Sequence, residues 1–397
     1  MASLIFRRLA MAAGSSSCGW PRVVTKSSSF SSYAPWLLIE NRIEDIVNNK
    51  CYNFYSMSDQ SIRHESKDGR AEDGILVGSS HGWLALYKWR QDFNYLDMFL
   101  YNPRTNQYVD LPPIETSSPR ILKKDIPNYR PTKVILSCSP QQDDDKQECR
   151  AIMSFGPLDR LACCRPEHSK QWTFFKEHEA ITEQVSSRSW FPRIYKDFVY
   201  SLARNKLLCV TRCDNYECWD LDNPFSPKLI WRLADNETSH RTWTYLVFAE
   251  KIDRLFVVHR HVMTNIGPYQ TTGFKVYELI VDADEKGGDL RLMDDTLDGM
   301  AFFIGSTGHG FVLGDGDDEE MIMMDNNNVK PNSIYFTDPK ELTPLPWDED
   351  TVTHGGHDIG VFNYKDQTFS SCYYPRDLRN LKRKIVPTPT WFMPSPP

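Results

Sequence analysis

No stretch of the chain approaches 18 consecutive apolar residues, so no helix long and apolar enough to cross a membrane is expected. Acidic residues are missing from the first 39 positions, although Asp and Glu (53) outnumber Lys and Arg (46) over the 397 residues. Glycine is scarce for a turn-rich chain, 20 against 25 prolines, so stiff Pro-bounded turns must supply much of the punctuation. The ten cysteines lie mostly inside apolar runs, as in Leu208-Cys209-Val210, and lack scaffold-like spacing. That argues for buried reduced thiols rather than a disulfide framework. No Gly-Lys-Ser/Thr occurs, which excludes the P-loop manner of holding phosphate.

What is present is aromatic and alternating. Phe, Trp and Tyr make up 13% of the chain, which favours strands. The clearest stretch runs from Gly78 to Pro113. Gly78-Ser79-Ser80-His81-Gly82 reads as a turn, and Trp83, Ala85 and Tyr87 then alternate with Leu84, Leu86 and Lys88. Met98-Phe99-Leu100-Tyr101 is a second strand. Asn102-Pro103-Arg104-Thr105-Asn106 turns the chain into Gln107 to Leu111, which Pro112-Pro113 are expected to stop.

Similar sets recur at intervals of roughly 55 to 65 residues, somewhat above the length of a propeller blade. Lys133 to Cys138, Arg150 to Phe155 and Leu161 to Cys164 form one set, and Phe198 to Leu233 another. Tyr245 to Met293 forms a third, and Ala301 to Tyr373 a looser last one. A small sheet cannot bury both of its faces alone, so such units must stack around an axis. The fold class expected is all-β: a β-propeller of five to seven blades with long loops, the alternative being a large β-sandwich. The terminal segment Pro387 to Pro394 is expected to be extended, with aromatics packing on the rim rather than a place in a ladder.

Residues 1–32 differ from the rest. They hold Arg7, Arg8, Arg22 and Lys26 and no acid, leaving the remainder at a net charge of −11. Leu4, Ile5, Leu9 and Ala12 can share one helical face flanked by the Arg pair, the pattern of an organellar transit peptide. A secretory core would be interrupted by Arg7-Arg8. The expected division is therefore a leader over 1–32 and a propeller over 33–397 with a Pro-rich C-terminal tail. The Arg pair favours the mitochondrion, and the Ser-rich second half keeps the chloroplast open. The acidic body argues against nucleic-acid binding, which draws on neutralised phosphates; a basic tail, Arg376 to Lys384, is the weaker counter-signal.

Several pieces in order carry a resemblance: Pro35-Trp36-Leu37-Leu38, Phe54 to Asp59, GSSHGWL at 78–84, and NPRTNQYVDLPP at 102–113. Asn332 to Asp338, Asp358 to Asn363 and Trp391-Phe392-Met393-Pro394 complete the series. Together they resemble the plant F-box-associated KIB-type β-propeller family, also called domain of unknown function 295. The resemblance implies a propeller from about Ala34 onward. Many members of that family carry an N-terminal F-box and are expected to serve as substrate receptors of ubiquitin ligases. Residues 1–33 of this chain hold a basic Ser-rich leader instead of apolar helical hairpins, so it resembles an organelle-targeted branch lacking the F-box.

Local chemistry is sparse. Gly305-Ser306-Thr307-Gly308-His309-Gly310 lies between two strands and reads as a hairpin turn, since no helix follows to aim at a phosphate. His354-Gly355-Gly356-His357-Asp358 offers three ligands without an evident fourth. Cys209, Cys213 and Cys218 lack the tight pairs of zinc sites, and Cys163-Cys164 point to opposite faces of one strand. Gly314 to Glu320 is acidic without calcium-loop spacing.

No catalytic residue, cofactor or resident metal is expected, and no Ser- or Cys-based nucleophile constellation. The chain reads as a non-enzymatic interaction module acting in an organelle on an unidentified protein partner, with its oligomeric state open. The alternatives are a cytosolic relative of the F-box receptors, or a propeller enzyme or ligand-binding protein using the central channel. For the last, His354, His357 and Asp358 are the residues to examine.

Overall fold

The computed structural model describes residues 34–39, 51–67, 69–91, 94–116, 130–140, 148–156, 160–175, 195–223, 226–234, 242–263, 270–281, 288–314, 316, 324–339, 355–372 and 388–394. In it, the alternating segments form six separate sheets, the blades of a six-bladed β-propeller. Residues 1–32, read above as a leader, the acidic loop residues 317–320 and the basic tail Arg376 to Lys384 lie outside the described residues.

Blade 2 comprises β4 (Ile75–Ser80), β5 (Trp83–Trp89), β6 (Tyr95–Asn102) and β7 (Gln107–Glu115). Blade 3 is β8 (Pro131–Leu136), β9 (Ala151–Phe155), β10 (Arg160–Cys164) and β11 (Thr173–Phe174). Blade 4 is β12 (Tyr195–Ser201), β13 (Lys206–Thr211), β14 (Asn215–Asp220) and β15 (Lys228–Ala234). Blade 5 is β16 (Thr242–Ala249), β17 (Arg254–Met263), β18 (Gln270–Val281) and β19 (Gly288–Leu292). Each is a simple antiparallel meander, the arrangement short connections allow.

Blades 6 and 1 depart from the meander. Blade 6 has the order β21-β20-β22-β23-β24, with β20 (Ala301–Ile304), β21 (Phe311–Leu313), β22 (Ser333–Phe336), β23 (Gly360–Asn363) and β24 (Thr368–Ser370). Here β20 and β22 are parallel, so the β20–β21 hairpin adds an extra strand on the inner side. Blade 1 combines β1 (Trp36–Leu38), β2 (Cys51–Ser56) and β3 (Ser61–Ser66) with β25 (Thr390–Phe392) from the C-terminus. Trp36 faces Phe392, Leu37 faces Trp391 and Leu38 faces Thr390. The terminal aromatics are thus not rim decoration: Trp391 and Phe392 are 3% and 0% exposed and close the ring.

Six apolar clusters fill the six junctions between neighbouring blades. Strand alternation explains why one blade serves two junctions. Ala151 and Met153 of β9 point toward blade 2, whereas Ile152 points toward blade 4. Cys164 and Cys163 divide in the same way, as their adjacency predicts. Each fully buried Leu, Val or Phe stabilises the junction by about 1.5–3 kcal/mol before chain entropy is charged against it.

Two sequence expectations need correction. Gly78-Ser79-Ser80 is strand rather than turn, with Ser79 opposite Leu84 and Ser80 opposite Trp83. The serines stay buried because their backbones are paired and Ser80 Oγ bonds the Leu136 backbone. Nor do Pro112 and Pro113 stop β7, which runs on to Glu115. As the outer edge strand of its blade, β7 has one side whose N–H groups need no ladder partner, so proline is tolerated. The Pro112 carbonyl accepts a 2.7 Å bond from Trp172 Nε1 of blade 3.

Candidate functional site

Gly305–Gly310 joins β20 to β21, as the hairpin reading expects. Its reach is what the sequence did not show. The His309 N–H donates to the Ser79 carbonyl of blade 2 at 2.9 Å, and Thr307 Oγ1 lies 2.6 Å from Thr390 Oγ1 of blade 1. On the other side, Gly310 packs on the Leu246 backbone of blade 5. A blade 6 loop that touches the innermost strands of blades 5, 1 and 2 lies on the inner side of the ring. Gly308 allows this closeness, since it adopts φ +89 and a Cβ there would press on Thr390 and Ser79.

Beside the hairpin is a recess of about 200 Å³, bordered by Ser80, His81, Phe248, His309, Phe311 and Trp391, with Glu250 and Lys251 from the turn after β16. Typical small-molecule pockets are larger, about 300–1,000 Å³. His81 enters through the β4–β5 turn, where His81 and Gly82 have φ of 50 and 80. Two positive φ values are what a type I′ hairpin turn requires, and His, like Asn and Asp, tolerates that region better than most residues. The imidazoles of His81 and His309 stand with centroids 5.7 Å apart and planes tilted by 42°.

Burial pulls His81 down to about 4, partly offset by a hydrogen bond to the Leu136 backbone. Burial, then His81, then Lys133, hold His309 well below the ordinary histidine range. Both rings are therefore uncharged at neutral pH.

Further round the ring, Lys133 and Asp197 form a buried ion pair at 2.5 Å. Asp197 Oδ1 also accepts from the Phe198 N–H, and Oδ2 accepts from the Leu246 N–H, both at 2.8 Å. One carboxylate thus joins the inner strands of blades 3, 4 and 5. Because its lone pairs are met on several sides, the desolvation of the pair is compensated.

Of the sequence candidates, His357 and Asp358 turn to different partners. His354 lies outside the described residues. The His357 ring lies 2.6 Å from the Asp338 carboxylate, which also accepts the N–H groups of Gly356, His357 and Asp358. Burial alone would raise the Asp338 carboxyl, but the His357 ring and those N–H donors hold it below its ordinary value. Asp358 turns to Arg260 of blade 5 instead. Among the described residues, no three His, Cys, Asp or Glu side chains gather in a metal-holding group.

The other candidates are also separated. Cys209 and Cys218 pack into different blade junctions, and Cys213 is exposed. Burial pushes the Cys163 thiol up to about 12 and those of Cys164 and Cys209 well above their ordinary range, the reverse of what a nucleophile needs. Gly78-Ser79-Ser80-His81-Gly82 has the Gly-x-Ser-x-Gly spacing of a nucleophile elbow. That elbow needs strand, turn and helix, whereas Ser80 ends one strand of a hairpin and its hydroxyl is bonded to the Leu136 backbone.

Sequence reasoning missed Lys133, Asp197 and Arg260. Their signal was a charge inside an otherwise apolar strand, as in Leu255-Phe256-Val257-Val258-His259-Arg260. The facing of His81 and His309 had no local signal.

Residues 54–363 match the profile of a family described as KIB1-4 beta-propeller. No curated protein matches the chain. Among solved structures, the β-propeller domain of Cps50 (Swd1) from Myceliophteria thermophila is similar at 9% identity and TM-score 0.37, covering 86% of each chain. TolB from Acinetobacter baumannii is similar at 8% identity and TM-score 0.38, covering 85% of this chain and 63% of that one. A functionally unknown protein from Desulfotomaculum acetoxidans is similar at 8% identity and TM-score 0.35, covering 91% of this chain and 99% of that one.

Proposed function

We propose, since this chain belongs to the KIB1-4 beta-propeller family, that it is a non-enzymatic protein-interaction module working inside an organelle, the mitochondrion first and the plastid second. The observation that carries the interaction reading is the hairpin on the inner side of the ring. With Gly305–Gly310 lying there, the recess beside it holds about 200 Å³, less than a substrate-sized molecule asks for. The face around it presents Glu250, Lys251 and the 40%-exposed Ile252, a mixed polar and apolar surface suited to a protein partner. The basic, acid-free leader supports the organellar address.

The test is recovery of the tagged full-length protein from isolated organelles, wild type against Lys251→Glu/Ile252→Asp. A partner held in fixed stoichiometry by the wild type and lost by an equally stable variant is the expected result. Recovery from the cytosol with ubiquitin-ligase components would instead return the F-box-receptor relative. A small molecule co-purifying in fixed stoichiometry would favour a channel enzyme or ligand-binding protein.

A further inference from the structure

We infer that His81 and His309 form a two-histidine site for a divalent cation of the zinc type at the edge of the recess, tying the blade 6 hairpin to blade 2. This goes beyond the interaction role and does not depend on it. The first ground is geometry. Zinc lies about 2.0–2.1 Å from an imidazole nitrogen, hence about 3.2 Å from the ring centre. Two imidazoles on one ion then have centroids about 5.2 Å apart at the tetrahedral angle and about 5.7 Å apart at roughly 125°. The observed separation is 5.7 Å.

The second ground is an unmet ring atom. His309 Nε2 is shut off from solvent and meets no hydrogen-bond partner among the described residues, although the ring borders the recess. A buried polar atom left alone calls for an explanation, and a bound ion is one. The third ground is orientation. The His81 ring is bonded to the Leu136 backbone, and ligating histidines ordinarily have the second nitrogen anchored to a carbonyl or carboxylate.

The recess leaves room for the waters that would complete the coordination. Of the charged groups nearby, Glu250 favours a cation, Lys251 and Lys133 oppose it, and Asp197 neutralises Lys133. With two protein ligands rather than three or four, the ion would be exchangeable and weakly held compared with structural zinc.

The experiment is calorimetric titration of the chelator-stripped full-length protein with zinc sulfate, alongside zinc X-ray absorption of the loaded protein. One equivalent should bind, with two imidazole nitrogens at about 2.0–2.1 Å. His309→Phe and His81→Asn, the latter chosen because Asn tolerates positive φ, should each weaken binding at least tenfold. Zinc should raise the melting temperature of the wild type and not of these variants, while the exposed-site control His168→Ala should bind like wild type. A wild type that takes up no zinc, binding unchanged in both site variants, or an absorption spectrum showing sulfur or a single imidazole would overturn the site. Should either variant fail to fold, the wild-type spectrum still decides.

Discussion

The guanidinium of Arg260 and the carboxylate of Asp358 meet at 2.9 Å across 98 residues of chain. Arg260 lies on β17 of blade 5 and is 0% exposed; Asp358 precedes β23 of blade 6. Arg260 also donates to the Thr337 carbonyl at 2.5 Å and to Thr271 Oγ1 at 2.7 Å, and it lies 4.8 Å from the Phe336 ring centre. Asp358 Oδ2 accepts from the Thr271 N–H and hydroxyl as well. A buried charge is tolerable only when its donors and acceptors are met in this way.

Removing one partner should therefore cost far more than removing both. Asp358→Ala strands the guanidinium and is expected to lose about 3–5 kcal/mol in urea unfolding. Arg260→Met/Asp358→Ala should cost less than the sum of the two single changes. Strict additivity in the double-mutant cycle would show that the two side chains do not act as a pair.

Trp391 joins blade 1 to blade 6: it packs edge-on against Phe303 at 5.1 Å and Tyr335 at 6.1 Å between centroids. Trp391→Ala should cost about 3–5 kcal/mol as a large core truncation. Deleting residues 388–397 removes β25 and should abolish a single cooperative unfolding transition. A truncated chain that melts like the full one would deny the closure by the C-terminal strand.

Asp338 sets a pH dependence. Its folded-state pKa lies below the ordinary aspartate value of 3.8, so between the two values the unfolded chain binds more protons. Its stabilisation is complete above about pH 4 and is lost as pH falls through the lower folded value. Urea midpoints from pH 6 to 2.5 should fall in that acid window for wild type. Asp338→Asn should be less stable at pH 7 and should flatten part of the acid slope; an unchanged slope would remove Asp338 from the account.

Gly78 is a point of close approach, where a Cβ would collide with the Val134 carbonyl oxygen of blade 3. It follows a register shift between Leu76 and Gly78. Gly78→Ala should destabilise by about 1–3 kcal/mol, as overpacking does. A stability gain, the usual result of replacing an unconstrained glycine, would show that the two backbones can part at little cost.

The address is tested by fusing residues 1–45 to a fluorescent reporter. Import into mitochondria is expected, driven by a positive amphipathic segment, and Arg7→Glu/Arg8→Glu should abolish it. Plastid fluorescence would move the compartment, and a cytosolic and nuclear reporter would remove the organelle from the proposal.

Strand positions were readable because they depend on local alternation and turn chemistry. Lys206–Thr211 coincides with β13, and the Asn102 to Asn106 turn separates β6 from β7 as read. The blade count was less readable, since blade 6 carries an extra strand and blade 1 borrows one from the far end of the chain. Pro112-Pro113 misled because proline stops a strand only where its missing N–H is needed, and an edge position does not need it.

The sequence by itself determined an all-β chain of repeated short strands, an acidic body and a basic N-terminal segment, because composition and period-two patterning are carried by neighbours in the chain. Tertiary structure alone decided the contacts made by residues distant in sequence. His309 met His81, Asp197 met Lys133, and Trp391 became an inner-strand residue rather than a rim aromatic. Those outcomes depend on how six blades pack and close around one axis, a geometry that no local pattern encodes.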